Sequence, residues 1–225
     1  EKGRTLAVVG SNGSGKSTLL RILAGAITPT HGRVAVGGRT GSLIDLPAGL
    51  QGDLTGVENI FFNMSLLGVP RRAIRRRLAD VMDFADLGYY IHSPIRYYST
   101  GMLLRLAFAI AIHVEPDILL VDETFAVGDV FYQSKCYRRM NELRRAHQTT
   151  IILVTHDLGL VGQMCDEVLW LERGTVQYHG SVETGLDRIL LDHHSRLPLL
   201  DRMKPVPELL SLMTRGRFGT GEVVV

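Results

Sequence analysis

Four apolar residues, Leu6–Val9, run straight into Gly10-Ser11-Asn12-Gly13-Ser14-Gly15-Lys16-Ser17 and then into a helical pattern, and that junction leaves the chain few folds to choose from. A short continuous apolar run marks a strand buried on both faces of a parallel sheet. The glycines let the backbone curl until its N–H groups converge on one point, and the helix that opens at the end of the loop adds the positive end of its dipole. An anionic phosphate fits such a nest. In this P-loop pattern Lys16 reaches the β- and γ-phosphates, the Ser17 hydroxyl ligates Mg²⁺, and Thr18 holds the α-phosphate. The same loop serves GTPases, small-molecule kinases and other enzymes, so alone it establishes nucleotide binding and nothing narrower.

The rest of the chain alternates helix and strand patterns. Ser17 to Gly25 carries Leu19, Leu20, Ile22 and Leu23 at helical spacing. Thr55 and Glu58 form a capping box ahead of an apolar helix over Ile60 to Leu67, closed by Gly68 and Pro70. From Arg71 to Gly88 the residues Ile74, Leu78, Val81, Met82 and Ala85 mark an amphipathic helix. Its remainder holds Arg71, Arg72, Arg75, Arg76 and Arg77, which reads as a solvated face, with a phospholipid-facing or partner-facing surface as the sharper alternative. Thr100 to His113 predicts a largely buried helix, Ile118 to Val121 and Thr149 to Val154 predict core strands, and Val168 to Leu171 with Thr175 to Tyr178 predict a hairpin about Arg173-Gly174. The sum is an α/β fold with a mainly parallel sheet and a helical insertion over about residues 55–113. Regular alternation lapses after about Leu191, so residues 192–215, with Pro198 and Pro205, read as a linker, and 216–225 as the start of a truncated C-terminal β domain.

Composition excludes more than it assigns. In 225 residues there is room for one α/β domain or a core with a small subdomain. A formal charge of +2 is too small to argue for a nucleic-acid partner, and none is expected. No apolar run reaches the roughly 20 residues a membrane-spanning helix needs. Cys136 and Cys165 lack a second thiol or histidine at metal-ligand spacing and read as reduced residues in a cytosolic compartment.

Three further clusters carry chemistry. The strand Ile118–Val121 delivers Asp122 and Glu123 at its C-terminal end, where ligands of parallel sheets gather. Asp122 is placed to hold Mg²⁺, and Glu123 to polarise the water that attacks the γ-phosphate. A second strand ends at Thr155-His156-Asp157, which puts the His156 imidazole at the same crevice to contact the γ-phosphate. Tyr98-Ser99-Thr100-Gly101-Met102 opens a helix with hydroxyls and a glycine, a second anion-seeking N-terminus within one domain.

A P-loop, a hydroxyl–glycine helix start, an Asp-Glu pair and a later histidine, in that order, resemble the ABC ATPases over nearly the whole chain. That resemblance implies ATP and Mg²⁺ as cofactors. It also implies a head-to-tail homodimer in which Ser99, Thr100, Gly101 and Met102 cap the ATP bound by the partner, with Asp129 of Ala126-Val127-Gly128-Asp129 on the loop that crosses between subunits. Tyr-Ser-Thr-Gly-Met followed by Arg105-Leu106-Ala107-Phe108-Ala109 is similar to the branch that exports O-antigen, teichoic acid and capsular polysaccharide. Gln51, before Leu54-Thr55-Gly56, takes the place of the glutamine that senses the membrane subunit and reaches the metal, at a shorter spacing to Thr55 than is usual. The implied activity is ATP hydrolysis at the cytoplasmic face of the membrane, coupled to an integral permease that moves a lipid-linked glycan. Two other readings stand beside it: a soluble ABC protein acting on DNA or ribosomes, and a piece that binds ATP without useful turnover. The last follows from the expectation that the family's N-terminal antiparallel strands, with their adenine-stacking aromatic, are missing ahead of Glu1.

Overall fold

The computed structural model describes residues 2–44, 49–122 and 130–196. Six strands form one sheet in the order β2-β3-β4-β1-β5-β6, with β1 Thr5–Val9, β2 Thr40–Ser42, β3 Ile118–Val121, β4 Thr150–Val154, β5 Glu167–Glu172 and β6 Thr175–Ser181. β1 to β5 run parallel, and only β6 is antiparallel, paired to β5. The mainly parallel sheet read from the apolar runs is therefore present, and β1 sits inside it with β4 and β5 on either side. β2 had no signal of its own: three residues, Thr-Gly-Ser, pair at the sheet edge because Leu119 and its neighbours in β3 offer them a ladder.

Helices cover both faces. α1 (Lys16–Leu23) brings Leu20 against Val8, Val154 and Leu171. The larger cluster joins Leu119, Val121 and Leu153 of the strands to α4 (Thr100–His113) through Leu106 and Ile112, and to α5 (Val130–His147) through Met140. Leu106, Met140 and Leu119 are fully buried, and deleting side chains of this kind costs about 2–5 kcal/mol each. α6 (Leu158–Met164) follows β4, capped by Asp157, whose carboxylate accepts from the Leu160 N–H at 3.0 Å.

Between β2 and β3 the chain is helical. α2 (Gly56–Leu66) starts at the capping box read from sequence: the Thr55 hydroxyl accepts from the Glu58 N–H at 3.2 Å, and the Glu58 carboxylate accepts from the Thr55 N–H at 2.8 Å. Those bonds from Thr55 hold the Glu58 carboxyl below its usual pKa. α3 (Arg71–Ala85) ends short of the expected Gly88, because Asp86 turns left-handed at φ 52° and a 3₁₀ turn takes over at Gly88–His92. Two long cations cap the helix ends here. Lys135 donates to the carbonyls of Asp83 and Phe84 at 2.9 and 3.1 Å at the end of α3. Arg77 donates to the His113 carbonyl at 2.9 Å and pairs with Glu115 at 2.6 Å at the end of α4, where a cation suits the helix dipole. Arg77 therefore leaves the solvated arginine face on which the sequence placed it.

The hairpin about Arg173-Gly174 forms as expected. Both residues have positive φ, 50° and 76°, the two-residue turn whose twist matches its strands. α7 (Val182–Arg196) runs past Leu191, so residues 192–196 are helical where a linker was expected. The chain divides into a unit ending at Leu186 and a second beginning at Asp187, whose described residues are helical. The remainder of the expected linker and the segment 216–225 lie outside the described residues.

Candidate functional site

The loop Gly10–Ser17 leaves the C-terminal end of β1 and closes on itself through the Ser14 N–H, which donates to the Ser11 carbonyl at 3.1 Å. Gly10 is there because nothing larger fits. Its φ is 152°, and a Cβ would overlap the Leu171 carbonyl oxygen of β5 and crowd the Ser14 hydroxyl. The hairpin braces the loop from the same side: the Gly174 N–H donates to the Ser14 carbonyl at 3.0 Å, and the Ser11 hydroxyl donates to the Glu172 carboxylate at 3.0 Å. The P-loop is thus held by a turn far along the chain that the motif itself gives no hint of.

Lys16 is 7% exposed, and its ammonium donates to the carbonyls of Gly10 and Ser11 at 2.8 and 3.0 Å. Among the described residues no carboxylate pairs with it. Ser14 is 1% exposed, and its hydroxyl has no hydrogen-bond partner among the described residues. At the start of α1, Gly15 offers no side chain to cap the first N–H groups, and the first helical bond is Leu19 N–H to Gly15 carbonyl at 2.9 Å. The N–H groups of Lys16, Ser17 and Thr18 precede that bond and are left to an outside acceptor. A Cβ on Gly13 would meet nothing within 4 Å. A buried cation with no counter-charge among the described residues, a hydroxyl with no partner among them and an uncapped helix start all fit a polyphosphate. Ser17 and Thr18 are exposed, with their hydroxyls open to a ligand, as are Ser11, Asn12 and Gly13.

Sheet order brings the later motifs to this crevice. β4 lies next to β1, so His156, two residues past its end, follows the neighbouring strand about 4.8 Å away. β3 is one strand further, and its register with β4, Val121 opposite Leu153, sets Asp122 level with Val154. Asp122 is half-buried and His156 is exposed. The Thr155 hydroxyl accepts from the Asp157 N–H at 3.0 Å and fixes the turn that carries His156. Glu123 and Asp129 lie outside the described residues. Among the described residues no three acidic, histidine or cysteine side chains gather as a ready metal cage.

The second anion-seeking motif sits elsewhere on the surface. Ser99 caps α4, its hydroxyl accepting from the Met102 N–H at 3.2 Å, and Thr100 is exposed beside it. Tyr98 is buried, which raises its pKa, and its hydroxyl donates to the Tyr90 carbonyl at 2.6 Å, so the residue before the cap is fixed. Ser99, Gly101 and Met102 line a cavity of about 330 Å³ with Asp86, Tyr90 and Arg105. Within one chain no described hydrogen bond joins Ser99–Met102 to the P-loop.

Gln51 is exposed, and it is its backbone that is held. Asn59, fully buried on α2, accepts from the Gln51 N–H at 2.8 Å and donates to the carbonyls of Gln51, Leu54 and Thr55 at 3.1, 3.2 and 3.0 Å. Residues 51–55 are also tied to the segment leading into Ser99. The Ile95 N–H donates to the Leu54 carbonyl, the Arg96 N–H to the Gly52 carbonyl, both at 3.0 Å, and Arg96 pairs with Asp53 at 2.6 Å. Sequence reasoning passed over Asn59 as a positioning residue. Its signal was an amide on the buried stripe Gly56, Asn59, Ile60, Met64 of α2.

With that geometry in place, residues 1–126 match the family model described as ABC transporter. The chain belongs to the ABC transporter family. It is 46% identical over 179 residues to the O-antigen export system ATP-binding protein RfbB of Myxococcus xanthus, covering 80% of this chain and 41% of that protein. It is 43% identical over 182 residues to the protein of the same name from Klebsiella pneumoniae, covering 81% and 74%. The teichoic acids export ATP-binding protein TagH of Listeria innocua is 42% identical over 181 residues, covering 80% of this chain and 53% of its own length. The chain thus spans about two fifths to three quarters of these relatives. Among solved structures, the ATP binding subunit of an ABC transporter superposes with a TM-score of 0.77 at 25% identity, covering 85% of this chain and 84% of the other. A dimeric ATP-binding cassette in a post-hydrolysis state, bound to ADP and Pi, gives 0.70 at 23% identity over 81% and 87%, and shares the fold.

Proposed function

We propose that this chain is the ATP-hydrolysing subunit of an exporter that moves a lipid-linked polysaccharide, of the O-antigen or teichoic acid kind, across the cytoplasmic membrane. The observation that carries the reading is the buried Lys16, unpaired with any described carboxylate, in a nest whose first helical N–H groups and Ser14 hydroxyl have no acceptor or partner among the described residues. The names and 42–46% identities of the export relatives support the choice of cargo.

ATP supplies the phosphoanhydride that is cleaved, and Mg²⁺ the positive charge that offsets its oxygens. Around them Gly10–Gly15 and the start of α1 grip the phosphates, Lys16 faces the β- and γ-positions, and Ser17, Asp122 and Gln51 hold the ion. Glu123 takes the proton from the attacking water and His156 steadies the γ-phosphate. Ser99, Thr100, Gly101 and Met102 close the partner chain's site in a head-to-tail homodimer, with Asp129 on the crossing loop. Ties between residues 51–55 and 94–97 carry motion from the nucleotide toward an integral permease on the inner face of the membrane. No described helix is long and apolar enough to cross a membrane.

The test is Mg²⁺-dependent ATP hydrolysis and dimerisation of the full chain beside Glu123→Gln. The expected result is turnover by the parent and an ATP-locked dimer for the variant. Equal activity from two monomers would remove Glu123 as the base.

A further inference from the structure

α3 opens against the usual electrostatics of a helix. Arg71, Arg72, Arg75 and Arg76 occupy its first two turns, with no acidic residue in the first turn and no side-chain cap from Pro70. Four cations therefore stand where the helix dipole is itself positive. Arg77 is engaged by His113 and Glu115, but the other four are exposed, and none has an ion-pair partner among the described residues. The Arg71 guanidinium lies over the face of Phe61, 6.0 Å from the ring centre. Asp80, one turn beyond Arg76, makes no ion pair with it.

Geometry gathers these charges. At about 100° per residue, positions 71, 72, 75 and 76 share an arc of about 140°. It is turned away from Ile74, Val81 and Ala85, which are fully buried. The end of α2 exposes Leu66 at 74%, its C-cap Leu67 is 40% exposed, and Phe62 of α2 is 43% exposed. α2 and α3 pack together, so the tip of this helical hairpin carries a cationic stripe beside bare aliphatic side chains.

We propose that the tip of the α2–α3 hairpin is a membrane-contact surface, with Arg71, Arg72, Arg75 and Arg76 receiving the phosphates of anionic phospholipids and Leu66 and Leu67 reaching the edge of the acyl layer. A headgroup layer satisfies both halves of the tip, since it offers a sheet of anions with hydrocarbon beneath. An acidic protein segment would answer the arginines and leave the leucines in water, so a lipid surface fits the tip better. The inference rests on the proposed function only in placing the chain beside a membrane.

The experiment is flotation of the full chain with vesicles of phosphatidylcholine, with and without phosphatidylglycerol, at low and physiological salt, beside hydrolysis assays on the same samples. The expected result is binding to the phosphatidylglycerol vesicles alone, weakened by salt. Arg72→Gln with Arg75→Gln and Arg76→Gln should lower that binding about five-fold per arginine, roughly a hundred-fold together. The matching lysine variant should keep it, and circular dichroism reads the helix in both. Leu66→Ser with Leu67→Ser should lower binding while leaving its salt dependence. The proposal is overturned if the parent ignores phosphatidylglycerol, binds both vesicles equally, or is matched by the glutamine variant. If hydrolysis is absent from every sample while vesicle binding follows the arginines, the proposed function falls and the membrane surface stands.

Discussion

Lys16 illustrates how a single side chain signals its ligand before the ligand arrives. Its ammonium is buried and, among the described residues, bonds to two backbone carbonyls, and such a cation is stabilised once an anion enters. Lys16→Ala is expected to lower ATP turnover by about two to three orders of magnitude, read by steady-state hydrolysis at saturating Mg²⁺. His113 makes a different residue-scale prediction. Burial pushes its pKa below the ordinary 6.5, although the bond its Nδ1 makes to the Ala109 carbonyl at 2.7 Å and the nearby Asp80 work the other way. The native ring is then neutral at pH values where the unfolded chain takes up a proton. Stability contributed by His113 is full above about pH 6.5 and drains away as pH falls toward the lowered native value. Urea midpoints of the parent should fall more steeply between pH 7.5 and 5.5 (about the range in which free imidazole gains its proton) than those of His113→Gln. Identical slopes would mean that the ring titrates freely in the native state.

At the scale of elements, the loop 51–55 owes its shape to Asn59, whose amide serves Gln51, Leu54 and Thr55 at once. Asn59→Leu keeps the volume and strips the Gln51 N–H of its acceptor, while the carbonyls of Gln51, Leu54 and Thr55 keep the N–H groups of Leu54, Ile95 and Asn59; the cost is about 1–3 kcal/mol. The amides of residues 51–54 should then exchange hydrogen faster while β1 and β4 keep their protection, as mass spectrometry of peptides would show. Elements with strong local grammar were legible beforehand. The capping box of α2, the apolar runs of β1, β3 and β4, the limits of α4 and the Arg173-Gly174 turn needed only neighbours in sequence. What escaped was set by partners far away. β2 forms because β3 supplies a ladder, α3 stops where Asp86 turns left-handed, and Arg77 leaves the basic face because the end of α4 offers it a carbonyl and Glu115. The site divided likewise: Lys16, Ser17, Asp122, His156 and Ser99 announce themselves in motifs, whereas Asn59 and the bracing Gly174 act through contacts that no short window contains.

For the molecule as a whole, the two thiols serve as built-in reporters of intactness. Burial pushes both Cys136 and Cys165 up to about 12, so neither is a useful thiolate at neutral pH while the fold persists. Labelling with a thiol-specific reagent at pH 8 should be slow in buffer and should rise along the same urea curve as the loss of helix signal. Rapid native labelling of Cys136, which is 1% exposed, would show that α5 opens locally. The pairing of Ser11 with Glu172 bears on how the protein comes into being. A chain leaving the ribosome presents its glycine loop well before the strand and turn that clasp it, which come later by 161 positions. Contacts so distant in sequence form late, after their loop-closure cost has been met. The clasped form of the loop therefore matures only after Glu172 has been made. A nascent chain halted before Glu172 carries the complete glycine motif with an unclasped loop, and added nucleotide should not shield it from proteolysis.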